Sequence, residues 1–358
     1  MIRENLNINR NRKVLLLLTS VFTVTFFYYS LSVISEQLFL LRRDFKLCYT
    51  PYSFDVEIKA IPAQQLTMKN INISYHNTIQ KKISDVTIHI AFISAGTENF
   101  RNLRIATQTL LMKTKSFVTF HLIGDVENYN YMKNLLAHCS KQNIKFYDWK
   151  QYEYLIEFIP NTHYSGIFTL LKLLLPEILP FTIDRVIVMD TDMIFNRNVK
   201  LLWELFREFD ENNLVGIAGE QSSWYLERSN KWLANNLGYN SGVMLMDLTR
   251  LREIQWYTFW KAEVSSNLLK YHMLELADQD VINSVAYEYP HLFYEIPCHW
   301  NKQWRPNNKY CQKHVFPNGE VSALHFNGKI KDIYNTALPK YIWDLLGKTL
   351  DDNFVIVN

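Results

Sequence analysis

Apolar positions recur along the chain in two rhythms. The run "VTIHIAFIS" (residues 86–94) and the run "VTFHLIG" (Val118–Gly124) are continuous and β-branched, which predicts buried strands. Between them, Phe100–Lys113 spaces its apolar side chains three and four apart and predicts a helix. Further on, the pattern predicts a strand near "IKFYDW", a helix over residues 167–179 and a buried strand opening "VIVMDTDMIF" (residues 186–195). "SGVMLMD" (residues 241–247) reads as another apolar strand, followed by the helical "LTRLREIQWYTFW". Strands and helices that alternate over short links predict an α/β fold with a mostly parallel sheet flanked by helices.

One of these runs delivers two acids, Asp190 and Asp192, where its apolar part ends. Residues i and i+2 of a strand share a face, and two adjacent carboxylates repel unless water or a cation lies between them. Open α/β sheets bind ligands beyond the carboxyl ends of their strands. Carboxylate oxygens suit Mg²⁺ or Mn²⁺, ions that also bridge phosphates. The chain has neither a GxGxxG nor a P-loop lysine motif, so a metal between the acids and a diphosphate would replace the missing glycine-rich loop. Solvated acids at a strand end are the plainer alternative.

Three further segments carry candidate chemistry. In "ALHFNGKIK" (residues 323–331), His325 offers a nitrogen that Mn²⁺ accepts, Gly328 permits close backbone approach to a phosphate, and Lys331 can neutralise one. A core histidine beside a surface lysine fits the same pattern. In "LADQDVIN", Asp278 serves either as a helix N-cap above Val281, Ile282 and Val285 or, with Gln279, as part of an active site. Asn240 and Ser241 enter a buried strand and can bond a sugar hydroxyl or end the preceding loop.

The N-terminal region follows a different pattern. Residues 14–34 are 21 consecutive uncharged positions, long enough to span a bilayer, with Arg10, Arg12 and Lys13 before them. They predict a retained signal anchor with residues 1–13 cytosolic, an irregular stem over residues 35–85 and a lumenal remainder. A cleaved signal peptide is the competing reading, against which the apolar run is too long. In a lumen, the sequon at Asn72 has meaning, and Cys298 and Cys311 form the natural disulfide pair; Cys48 and Cys139 are left open. A net charge of +3 leaves no nucleic-acid footprint. Aromatics at 15% suit a core of large side chains or a sugar-handling surface.

Taken in order, these pieces resemble the retaining glycosyltransferases of family eight, the glycogenin-like group with a GT-A fold, over residues 86–345, with a tail over 346–358. The segments "NTHYSGIFTLLKLLLPEILP", "GEQSSWYL" and "ADQDVINSVAYEYPHLFYEIPCHWNKQ" resemble more specifically the xylosyltransferase domain of LARGE-type, matriglycan-building enzymes. The resemblance implies a UDP-sugar donor, UDP-xylose above all, a glycan acceptor such as glucuronic acid on a glycoprotein, and a type II Golgi membrane protein able to associate with itself or with other glycosyltransferases. It implies Mn²⁺, or Mg²⁺, held by Asp190, Asp192 and His325, with Gly328 and Lys331 at the diphosphate. Ala91 and Ser94 would line the nucleoside pocket. Lys172, Asn240, Asp278 and Gln279 would surround the donor sugar, the last two closest to the chemistry.

LARGE-type proteins carry a second, glucuronic-acid-adding domain. With 33 residues after His325, the expectation here covers xylosyl transfer alone. Glucoside and xyloside xylosyltransferases share much of the pattern. Two rivals come from other classes. A membrane-anchored glycan-binding pseudoenzyme would be expected to lack a metal ligand, and a hydrolase would place its two acids on opposite sides of the scissile bond.

Overall fold

The computed structural model describes residues 86–327, apart from 138, 140–141, 227–231, 305–310 and 312–320. The expected anchor, stem and tail, the sequon at Asn72 and the candidates Gly328 and Lys331 lie outside the described residues. Among the described residues, no helix is long and apolar enough to cross a membrane.

In chain order the elements are β1 (Ile88–Ser94), α1 (Phe100–Lys113), β2 (Val118–Gly124), α2 (Val126–Leu135) and β3 (Gln142–Asp148). A 3₁₀ helix (Phe168–Leu174) leads into α3 (Leu175–Ile178), then β4 (Arg185–Met189), β5 (Met193–Phe195) and α4 (Lys200–Glu204). There follow β6 (Val215–Gly219), β7 (Tyr239–Asp247), α5 (Leu248–Glu253), α6 (Trp256–Tyr271), α7 (Asp278–Glu288), β8 (Phe293–Glu295), β9 (Lys302–Gln303) and β10 (Ala323–His325).

Seven strands form the main sheet in the order β3-β2-β1-β4-β7-β6-β8. β3, β2, β1 and β4 run parallel, as the alternating pattern predicts, and β8 is parallel to β6. Ile88, Ile90 and Phe92 of β1 and Ile187 and Met189 of β4 pack one face, while Ala91, Val186 and Val188 pack the other. A strand buried on both faces is apolar throughout, which is why these runs show no alternation.

The exception to parallel order builds the site. β7 is antiparallel to β4, so Met189 pairs with Val243 and the Asp190 amide donates to Gly242 O at 2.9 Å. Asn240 and Ser241, near the start of β7, therefore lie beside the carboxyl end of β4. The β6 register shifts against β7 between Ile217 and Ala218, a bulge that falls at the same place. A second, three-stranded sheet in the order β5-β10-β9 sets His325 opposite Met193.

Two expected helices differ. Over residues 167–179 the chain forms the 3₁₀ helix and then one short α turn. Pro176 has no amide hydrogen to donate to the carbonyl of Lys172, which accepts from Leu175 instead. The segment 248–260 divides into α5 and α6 at Gln255, whose φ of 56° is left-handed. Cys298 and Cys311 are disulfide-bonded, as the lumenal reading expects, and Cys139 is disulfide-bonded too.

Candidate active site

Asp190 and Asp192 do not share a strand face. β4 stops at Met189, and the two acids sit on the bend before β5. Asp190 is partly exposed, whereas Asp192 is buried. His325 arrives on β10 with Nε2 3.3 Å from Asp192 Oδ1 and 3.5 Å from Asp190 Oδ2. One ligand atom from each of the three lies within 4.8 Å of the others.

The other ring nitrogen fixes the tautomer. His325 Nδ1 lies 2.9 Å from Asn301 Oδ1, and Asn301 Nδ2 donates to Asn240 Oδ1 at 2.8 Å. With its amide hydrogens committed to Asn240, Asn301 presents a carbonyl oxygen that accepts from Nδ1–H. Nε2 then turns a lone pair toward the acids, the arrangement a metal-ligating histidine requires. Burial opposes charge on this imidazole, but Asp192 and then Asp190 outweigh it and raise its pKa.

Beneath the acids lies Lys172, 2% exposed. Its Nζ is 2.7 Å from Asp190 Oδ1, 3.3 Å from Asp278 Oδ2 and 3.1 Å from Ser241 O. Burial disfavours the ammonium, yet Asp190 and Asp278 more than offset this, so the lysine stays charged. Asp278 Oδ2 is within ion-pair distance but lacks hydrogen-bond geometry, so this buried oxygen keeps acceptor capacity. Asp278 is not the N-cap of α7, a position held by Ala277; it lies in the first helical turn with its carboxylate at the cleft.

Asn240 donates to Glu220 Oε2 at 3.0 Å and to Gln279 Oε1 at 3.1 Å, and Gln279 Nε2 donates to Glu220 Oε2 at 3.1 Å. One bonded network thus runs from Gln279 and Glu220 through Asn240 and Asn301 to the imidazole. It opens into a cleft of about 840 Å³ that holds Lys172, Asp190, Asp192, Asp278, Gln279 and His325 on its walls.

A model of the family "Glycosyl transferase family 8" matches residues 63–332. The chain belongs to glycosyl transferase family 8. It is 35% identical over 250 residues to the mouse xylosyl- and glucuronyltransferase LARGE2, covering 68% of this chain and 36% of that protein. With human LARGE1 it shares 32% identity over 253 residues, 68% of this chain and 33% of that one. The chain thus spans about a third of the length of these relatives. Mouse xyloside xylosyltransferase 1 superposes with a TM-score of 0.57 at 25% identity, over 71% of this chain and all of that structure. The galactosyltransferase LgtC, solved with donor and acceptor sugar analogues, superposes at 0.55 over 73% of this chain; at 17% identity it shows the GT-A-like fold alone.

GT-A glycosyltransferases use a divalent metal and a nucleotide-sugar donor, and this chain has the GT-A-like fold. The donor set fits such a metal: two carboxylates and one imidazole converge, and Asn301 turns the nitrogen inward. The first-strand candidates are placed differently from expectation. Ala91 is fully buried in the core, and Ser94 is buried with its hydroxyl donating to Asn128 Oδ1. The cleft wall is built instead by Ile93, Ala95, Glu98 and Asn99. Alternation turns Ser94 away from the cleft between Ile93 and Ala95, whereas Ala91 shares the face of Ile93 and is covered by the core packing there.

Glu220 and Asn301 had no sequence-based assignment. Glu220 had a signal, since an acid closing the buried run "VGIAG" repeats what Asp190 does after β4. Asn301 had none, because it lies in an irregular turn (Cys298–Asn301) whose place is set by long-range packing.

Proposed function

We propose that this glycosyltransferase is a Mn²⁺-dependent, retaining α-xylosyltransferase that uses UDP-xylose and extends a glycan on a glycoprotein in the Golgi lumen. The observation that carries the reading is the Asp190–Asp192–His325 cluster, joined through Asn301 and Asn240 to Gln279 and Glu220 in one cleft. The xylosyl specificity is supported by the names of the relatives, xylosyl- and glucuronyltransferases and a xyloside xylosyltransferase. The lumenal location is supported by the disulfide between Cys298 and Cys311 and by the uncharged run over residues 14–34.

When bound, the ion would screen the charge that builds on the departing diphosphate. The chain's own residues account for the rest. Lys172 anchors the carboxylates of Asp190 and Asp278 from below, which keeps Asp190 oriented toward His325. Asp278 and Gln279 line the cleft, which supports a role for this carboxylate and amide in bonding donor-sugar hydroxyls. Gln279 is a neutral amide and Asp278 is tied to Lys172, so neither is suited to form a covalent sugar intermediate. Attack from the leaving-group side, with a diphosphate oxygen taking the acceptor's proton, is the route to retention.

A second reading keeps the donor and changes the acceptor from glucuronic acid to a glucoside or xyloside. It is favoured by the match to xyloside xylosyltransferase 1, all of whose structure is covered. The purified protein, incubated with a panel of UDP-sugars with and without Mn²⁺ and with glucuronide, glucoside and xyloside acceptors, separates these. Hydrolysis and transfer should favour UDP-xylose, vanish reversibly in EDTA and be lost in Asp192→Asn. Preference for UDP-glucose or UDP-galactose would refute the xylosyl specificity, and full activity in EDTA would refute the metal role.

A further inference from the structure

Asp280 is buried at 1% exposure and is absent from the cleft wall, yet its carboxylate is bonded on both oxygens. Oδ2 accepts from the amides of Glu275 and Leu276 at 2.8 and 2.7 Å. Oδ1 accepts from the hydroxyl of Tyr225 at 3.0 Å, and that same hydroxyl accepts from Asn283 Nδ2 at 3.2 Å. The side chain therefore ties together two loops that meet nowhere in sequence. One carries Trp224 to the cleft, and the other carries Met273 and Glu275.

Both loops need holding. Ala277, buried and not a glycine, has φ 49°, a conformation that persists only where surrounding bonds over-determine it. The two amides fixed by Asp280 belong to the residues immediately before it. On the other side, Tyr225 lies against Gly238, where a Cβ would come within 2.6 Å of the Tyr225 ring. The tyrosine's position is thus set by packing from one side and by the carboxylate from the other.

We infer that Asp280 is a positioning residue which fixes Trp224 and Glu275 across the cleft mouth and thereby sets the fit of the acceptor sugar. The inference rests on the glycosyl-transfer reading above. On the donor side, Asp190, Asp278 and His325 are held by other bonds, from Lys172 and from Asn301, while Gln279 shares a side-chain bond with Tyr225. Trp224, Met273 and Glu275 also line the cleft, and their chemistry suits a pyranose. An indole packs on the apolar face of the ring, and a carboxylate accepts from its hydroxyls.

The test compares wild type with Tyr225→Phe, which removes the hydroxyl bonded to Asp280 and Asn283, and Asp280→Asn, which keeps the shape. Donor turnover is measured as UDP-sugar hydrolysis without acceptor, using whichever UDP-sugar wild type hydrolyses fastest. Acceptor use is measured as transfer to p-nitrophenyl β-glucuronide, β-glucoside and β-xyloside. Both variants should raise the acceptor KM roughly three- to tenfold, the effect of one or two lost hydrogen bonds, while the donor KM and hydrolysis rate stay within about twofold. If Asp280→Asn does not melt cooperatively, Tyr225→Phe decides alone. Hydrolysis falling in step with transfer, or no change in either, overturns the inference. An active wild type with insensitive variants sinks this inference alone, whereas a wild type inert toward every UDP-sugar sinks the transfer reading and this inference with it.

Discussion

Lys172 carries its charge where water scarcely reaches, and its closest charged partners define what it does. Asp278, buried at 3% exposure, relies on it as a cation, while Asp190 is partly open to solvent and depends on it less. Removing one member of a buried pair strands the other, at a cost of about 3–5 kcal/mol. Lys172→Met should therefore lower unfolding stability by roughly that amount, and adding Asp278→Asn should restore much of the loss. Urea unfolding of the two single variants and the double variant checks this; strictly additive losses would mean that the two groups do not interact. Acids, amides and a histidine at the ends of apolar runs made Asp190, Asp192, Asp278, Gln279, Asn240 and His325 conspicuous, whereas Lys172 and the gathering of all seven into one site came from the family resemblance. The sequence could not show that Asp192 is buried against His325, since that depends on a strand more than a hundred residues away. Asp192→Asn is thus a change inside the packed structure rather than at an exposed strand end.

Among the elements, the strands were legible and the helices partly so. Long β-branched runs buried on both faces admit one reading, and β1, β2 and β4 lie where that reading puts them. The direction of β7 was not legible, because an apolar strand pairs equally well either way until the connections fix it. Its antiparallel pairing brings Gly242 against the histidine. A Cβ at Gly242 would lie 2.2 Å from His325 Cε1 and 2.4 Å from Nδ1, far inside contact distance. Gly242→Ala must therefore push the imidazole off its bond with Asn301 and away from the two acids. The substitution should weaken Mn²⁺ binding about tenfold or more, the range seen when support for a metal ligand is lost, while the main sheet stays formed. Isothermal calorimetry with Mn²⁺ and UDP, alongside circular dichroism, measures both. Wild-type affinity in the variant would show that His325 does not take part.

At the scale of the whole molecule, stability carries a pH signature from Asp280. Burial pushes its carboxyl up to about 6, against the bonds from Leu276, Glu275 and Tyr225 that favour the ionised form. In the unfolded chain the same group ionises near its ordinary value of 3.8. Below 3.8 both states hold the proton, and the folded form has its full relative stability. Between 3.8 and about 6 the unfolded chain releases the proton while the folded protein keeps it, so stability falls as pH rises. Above about 6 both states are ionised and the loss is complete. A tenfold difference in proton affinity between the two states is worth about 1.4 kcal/mol, so the whole drop from this group is about 3 kcal/mol. Other carboxylates contribute their own slopes, and comparison with Asp280→Asn removes them, because the variant differs only at the group in question. The stability difference between wild type and variant should move in the variant's favour by about 3 kcal/mol from pH 3 to pH 7. Urea midpoints across that range provide the measurement. A difference that stays constant with pH would mean that Asp280 ionises as freely in the fold as in water, and that its bonds to the two cleft loops fully compensate its burial.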